Sequence, residues 1–164
     1  MSKGQIAVIS LVGAIFIALS VILVTKTGKE DMSDIVEFTP PPFEEDVRQG
    51  KPEMSADMQY SQVDIAGNYS VALCAKARYE NGELILYFTS DNSNEVLLRA
   101  IVLDKDGNEL GASGLIRPGE YLSSISLVSA PVDTNVIVKV ISYEFDTYYS
   151  MGTAPITVGV TMAQ

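Results

Sequence analysis

The segment Tyr69–Ser90, YSVALCAKARYENGELILYFTS, decides the fold class. Two runs rich in aliphatic, aromatic and β-branched residues flank Asn81-Gly82. Asn-Gly between such runs is the strongest short-range hairpin signal, because both residues of a type I′ turn must take positive φ. In the second run Leu84, Leu86 and Phe88 alternate with Ile85 and Tyr87, so one face is wholly apolar. The period is two rather than that of a helix, and the segment reads as two paired strands.

The same texture runs on to the C-terminus. VLLRAIVLD (96–104) leads to a second hairpin signal at Asp106-Gly107, and ELGASGLI (109–116) to a break at Pro118-Gly119. Then come YLSSISL (121–127), a break at Pro131, NVIVKVISYEF (135–145), a loop DTYYSMG (146–152) and PITVGVTMA (155–163). Val136, Val138 and Val140 share a face, as do Ile156, Val158, Val160 and Met162. No βαβ alternation is visible, which excludes a parallel α/β fold. The expectation is a mainly β domain over 57–164, an antiparallel sandwich of about seven or eight strands.

Upstream of that domain, residues 28–56 are acidic and proline-containing, with TPPPFEED (39–46) at their centre. Three successive prolines favour polyproline II, so this stretch reads as a semi-rigid linker. Residues 1–27 read as one long hydrophobic α-helix. Ile6–Val24 carries no charge and is long enough to span a bilayer, which makes lipid the expected partner of residues 6–24. A cleaved signal has a shorter apolar region followed by a small-x-small site. The best such match, Ala18-Leu19-Ser20, sits inside the apolar run, which favours retention as a signal-anchor. Lys3 on one side and Lys26 and Lys29 on the other leave charge silent on orientation. The layout of a short tail before a single apolar segment favours an external C-terminal domain.

Composition narrows the function classes. The 164 residues carry a net charge of −10, with no histidine and one cysteine, Cys74. An acidic surface without a basic stripe disfavours nucleic acid. Without histidine the commonest general base is missing, a zinc site is disfavoured, and Cys74 has no partner to activate it. Asp104–Glu109 resembles a calcium loop only superficially. Position six holds Glu109 where an EF-hand needs Gly, and position twelve holds Leu115 where it needs Glu, so the segment reads as a hairpin turn. Asp91, Asn92, Asn94 and Glu95 form another oxygen-rich stretch that reads as a turn. Asn68-Tyr69-Ser70 matches a glycosylation sequon. No catalytic, cofactor-binding or metal-ligating residues are expected. The candidate partner-binding loop is Tyr148, Tyr149 and Met151, because Tyr and Met are favoured at interfaces and loops on a rigid scaffold often carry function.

Two resemblances add to this. Residues 54–162 resemble small membrane-anchored surface proteins of Gram-positive bacteria of the Firmicutes. The pieces that carry the likeness are the DxxG hairpin at Asp104–Gly107, SGLIRPG at Ser113–Gly119, and the alternating run Ile156–Met162. The resemblance implies an N-terminal anchor, an acidic or proline-containing linker and an Ig-like β-sandwich that serves as a surface-exposed adhesive or structural module. It implies no catalytic residues. At the N-terminus, SKG followed by QIAVISLVGAI resembles the class III signals of type IV pilins and archaeal flagellar filament proteins. That implies processing between Gly4 and Gln5 and a helix packed in a filament core. Ile9 stands where many type IV pilins have Glu. The expected function is therefore a non-enzymatic, single-pass surface protein displaying its domain for protein interaction, adhesion or self-assembly. The alternative is a pilin-like subunit of an extracellular filament.

Overall fold

The structure, a computed structural model, describes residues 38–66 and 69–162. The expected membrane helix over 6–24, the Gly4–Gln5 junction, the linker up to residue 37 and Asn68 of the sequon lie outside the described residues. Among the described residues no helix is long and apolar enough to cross a membrane.

The chain divides into two units, Met1–Thr39 and Pro40–Gln164, and the second is mainly β. Among the described residues its strands are β1 (Arg48–Gln49), β2 (Tyr60–Ile65), β3 (Tyr69–Cys74), β4 (Lys76–Glu80), β5 (Glu83–Ser90), β6 (Leu97–Leu103), β7 (Glu109–Ala112), β8 (Glu120–Ser126), β9 (Asn135–Tyr143) and β10 (Ser150–Met162). They form one continuous sheet in the order β1-β8-β5-β4-β10-β9-β6-β7, with β3 also paired to β5 and β2 to β3.

The Asn81-Gly82 hairpin forms as its chemistry demands. Asn81 has φ 53° and Gly82 φ 86°, and Glu80 faces Glu83 across the turn. The β6–β7 turn is longer: the Gly107 amide donates to the Asp104 carbonyl at 3.2 Å, and Gly107 alone takes positive φ, at 85°. The run 69–80 splits at Ala75. Its first half, β3, pairs with β2 and the end of β5, while its second half, β4, turns to β10. The β4–β10 pair is parallel, Gly159 opposite Lys76 through Met162 opposite Tyr79. The sheet is therefore not wholly antiparallel as the sequence suggested. The antiparallel expectation came from hairpin signals, and hairpins join neighbours in sequence. β4 and β10 are far apart in sequence and meet only because the sheet curls.

Inside the curl sits one core. Leu84, Leu86 and Phe88 of β5, Leu98 of β6 and Val138 and Val140 of β9 are completely buried. Each such side chain contributes about 1.5–3 kcal/mol over its exposed state. Close backbone contact completes the curl. The amide of Val128 donates to the Leu110 carbonyl at 2.8 Å, linking β7 to the end of β8. A Cβ on Gly111 would stand 2.3 Å from the Ser126 carbonyl oxygen, so only glycine fits there.

A second, smaller core lies on the opposite face of β6 and β9, where Leu97, Leu115, Ile141 and Tyr143 are buried. Leu97 and Ile141 alternate with the inward-facing Leu98 and Val140, which is why both faces of these strands are apolar. What covers this face includes a stretch that reads in the sequence as linker. Phe43 packs on it and forms a parallel bridge with Leu115, the Leu115 amide donates to the Pro42 carbonyl, and the Glu44 amide donates to the Leu115 carbonyl. Val47 packs on the main core, and β1 pairs with β8. Prolines and carboxylates dominate the composition of this strap, while two apolar residues, Phe43 and Val47, attach it.

The segment SGLIRPG (113–119) is the junction of these parts. The Ser113 hydroxyl accepts from the Ala100 amide at 2.9 Å, and the Ser113 carbonyl accepts from Arg99 Nε at 3.0 Å. The Gly114 amide donates to the Glu44 carboxylate at 2.8 Å. The guanidinium of Arg117 stacks over the Phe43 ring at 3.9 Å. Pro118 and Gly119, the latter at φ 78°, make a turn closed by the Glu120 amide donating to the Arg117 carbonyl at 3.1 Å.

Candidate functional site

The loop singled out from the sequence joins β9 to β10, and the structure separates its members. The Glu144 amide donates to the Tyr149 carbonyl and the Tyr148 amide to the Glu144 carbonyl, both at 3.0 Å, which fixes the turn. Tyr148 sits at φ 57° and turns back onto the second core, its ring edge-on to Phe43 with centroids 6.3 Å apart. Tyr149 and Met151 point outward, 64% and 62% exposed, and Phe145 joins them at 41%. Met151 lies at a register irregularity between Ser150 and Gly152. Phe145 is not legible as a loop residue in the sequence, because it closes the apolar run NVIVKVISYEF (135–145) and the polar loop DTYYSMG (146–152) begins after it.

The oxygen-rich turns spend their oxygens locally. Asp104 Oδ1 accepts from the amides of Asp106 and Asn108, and Oδ2 accepts from Asn108 Nδ2, each at 2.8 Å. These donors, Asn108 first, hold the Asp104 carboxyl below its ordinary pKa. Asp91 accepts from the Ser93 hydroxyl and amide, and its pKa is lowered for that reason. Asn94 is buried and imitates a strand: its Oδ1 accepts from the Ser70 amide, and its Nδ2 donates to the Ser70 carbonyl, both at 2.8 Å. Among the described residues no group of three or more His, Cys, Asp or Glu is placed to hold a metal ion. Cys74 is fully buried beside Met54, and burial pushes its thiol pKa up to about 11. A thiol so placed is a packing group rather than a nucleophile.

The described residues form concavities of about 620, 480 and 240 Å³. A cavity of about 620 Å³ separates the strap from β8 and is bordered by Glu44, Glu45, Asp46, Glu83 and serines of β8. Its border is dominated by carboxylates and hydroxyls, with no aromatic surface. The second, about 480 Å³, lies on the outer face of β2, β3 and β5. There Gln62, Ala72 and Thr89 stand in one cross-strand row. Ala72 and Thr89 are short and make the floor; Tyr60 and Gln62 rise at the β2 side. Gly50 and Lys51 of the strap, Gly119 and the Asp91-Asn92 turn complete the wall. The Tyr60 hydroxyl donates to Thr89 Oγ1 at 2.8 Å, which in turn donates to the Tyr87 carbonyl at 3.0 Å, so the ring is held in place. Burial raises the Tyr60 pKa, which keeps the phenol neutral. This site is not legible in the sequence, because its residues come from five separate segments.

No family model matches the chain, and no curated protein matches it.

Proposed function

We propose that the protein is a non-enzymatic interaction module displayed at a cell surface, anchored by the apolar segment 6–24. The observation that carries this reading is the β9–β10 turn. Phe145, Tyr149 and Met151 present apolar surface on a backbone held by its own hydrogen bonds and by the inward anchor Tyr148. A rigid loop loses little entropy on binding, and exposed aromatic and Met side chains are the types that interfaces favour. In this reading the curled sheet is an Ig-like β-sandwich, with β2, β3, β5, β8 and β1 as one layer and β4, β10, β9, β6 and β7 as the other. Shared core residues from both halves support it. The likeness to anchored surface proteins of Firmicutes agrees with an adhesive or assembly role.

The test is made on cells expressing the full chain. The domain is expected to be accessible to externally added protease in intact cells, and the chain to sediment with membranes. Cells carrying Tyr149→Ser with Met151→Ser are expected to lose cell–cell or cell–surface attachment at unchanged display level. Attachment unaffected by the double substitution would overturn the role of the turn. A mature N-terminus at Gln5 would overturn the permanent anchor.

A further inference from the structure

We infer that the depression on the outer face of β2, β3 and β5 is a binding site for a neutral saccharide. The floor and the rim differ in chemistry. Ala72, the Tyr60 ring and the backbone of Gly50 and Gly119 offer apolar surface, which suits the C–H face of a pyranose ring. The rim offers planar or charged hydrogen-bonding groups: the Asn92 amide, the Lys51 ammonium, the Asp91 carboxylate and the Gln49 amide. Such groups are what a cluster of ring hydroxyls, each donor and acceptor, requires.

Several of these groups are held in place yet left available. Among the described residues the Asn92 side chain has no hydrogen-bond partner, although it is packed so closely over Gly119 that a Cβ there would lie 2.9 Å from its Oδ1. Gly119 is at φ 78°, in the turn of the SGLIRPG segment, so two reasons favour glycine at this wall. Among the described residues Lys51 makes no ion pair within bonding range, and its charge acts on Asp91 only at a distance. Gln49 uses its Nε2 on Glu120 and keeps its Oε1. Asp91 uses Oδ1 on Ser93 and keeps Oδ2.

Charge selects among ligand classes. Lys51 and Asp91 balance one another at the rim, so neither a phosphorylated nor a cationic ligand gains net attraction there. On a chain of net charge −10 an anion is disfavoured further. An extended peptide is disfavoured for a different reason. Its affinity would come from main-chain pairing at a strand edge. The depression lies on a sheet face, where the backbone groups beneath it already pair in plane between β2, β3 and β5. What remains is a neutral, ring-shaped, polyhydroxylated ligand.

This site is separate from the β9–β10 turn, so the two readings stand or fall apart. The test uses the full chain in detergent micelles, with saturation-transfer NMR and titration calorimetry. The probes are chitotriose, cellotriose and maltotriose, with trigalacturonic acid and an uncharged extended hexapeptide as comparisons. At least one neutral trisaccharide is expected to bind, and to do so more tightly than either comparison. Tyr60→Ala and Asn92→Ala are each expected to weaken it by about tenfold or more. Tyr60→Phe, which keeps the ring, is expected to bind within about threefold of the parent. Tyr149→Ser with Met151→Ser is expected to bind like the parent. Circular dichroism checks that each variant keeps its fold, and the exposed Asn92 supplies a variant that leaves the core untouched. The proposal is overturned if no neutral trisaccharide binds, if Asn92→Ala binds undiminished, or if the acidic trimer or the peptide binds more tightly.

Discussion

Gly114 and Glu44 meet where the strap crosses the sheet: a Cβ on Gly114 would stand 2.5 Å from the Glu44 amide nitrogen and 2.8 Å from its Cα. Their polar groups close the same contact, the Gly114 amide donating to the Glu44 carboxylate at 2.8 Å. Both obstructing atoms are backbone, so no rotamer change relieves a side chain placed there. Gly114→Ala therefore displaces the strap. The expected cost is about 1–3 kcal/mol in chemical denaturation. Limited digestion with trypsin is expected to show faster cleavage after Arg48, which the strap's pairing with β8 protects in the parent. Unchanged cleavage would show that the strap is held without this contact.

Asn94 supplies both partners of the Ser70 backbone at a place where no strand does. In Asn94→Ala the Ser70 amide and carbonyl each lose that partner, the carbonyl keeping a longer bond of 3.3 Å from the Asp91 amide. A buried backbone group left unpaired costs about 1–3 kcal/mol. The midpoint of urea unfolding should fall accordingly, with an unchanged slope. Asn92→Ala, two residues away and without a hydrogen-bond partner among the described residues, should stay within about 0.5 kcal/mol of the parent.

The two tyrosines of the β9–β10 turn separate packing from display. Tyr148 contacts Phe43 and the second core. Tyr148→Ala should lower stability by about 1–3 kcal/mol through lost burial and ring contact. Tyr149→Ala, at an exposed position, should change it by less than about 0.5 kcal/mol. Thermal unfolding of the two variants beside the parent decides the point; equal losses would show that both rings pack.

Local signals in the sequence match what was found at particular residues. Asn81-Gly82 and Asp106-Gly107 make hairpins because the positive φ each turn needs, at both Asn81 and Gly82 but only at Gly107, is a property of those residues alone. The alternation of Ile156, Val158 and Val160 places them toward the core, with Val158 completely buried. What was not legible depends on distant partners. The parallel β4–β10 pair joins Lys76–Tyr79 to Gly159–Met162, and no spacing rule relates them. Phe43 is one ring in a proline-rich acidic stretch, and its burial depends on Arg117, Leu115 and Tyr148. The outer-face depression fails to show in the sequence for the same reason. Ala72 and Thr89 look like ordinary strand residues, and only the register sets them in a row with Gln62.

Cys74 makes stability pH-dependent on the alkaline side. Burial raises its thiol pKa from 9.0 to about 11 in the folded protein. The folded state thus holds the proton more tightly than the unfolded chain does. Stability from this group is fully present below the unfolded pKa and is lost as pH rises through the window from 9.0 to about 11. Tyr60 and Tyr69, whose pKa values burial also raises, add losses at the upper end. Cys74→Ala removes one titrating group. It should be less stable than the parent at neutral pH, because the site is fully buried and loses its sulfur contact with Met54. Its stability should then decline less steeply between pH 9.0 and about 11. Urea unfolding at half-unit pH steps measures both slopes, and parallel slopes would show that the thiol keeps an ordinary pKa in the fold.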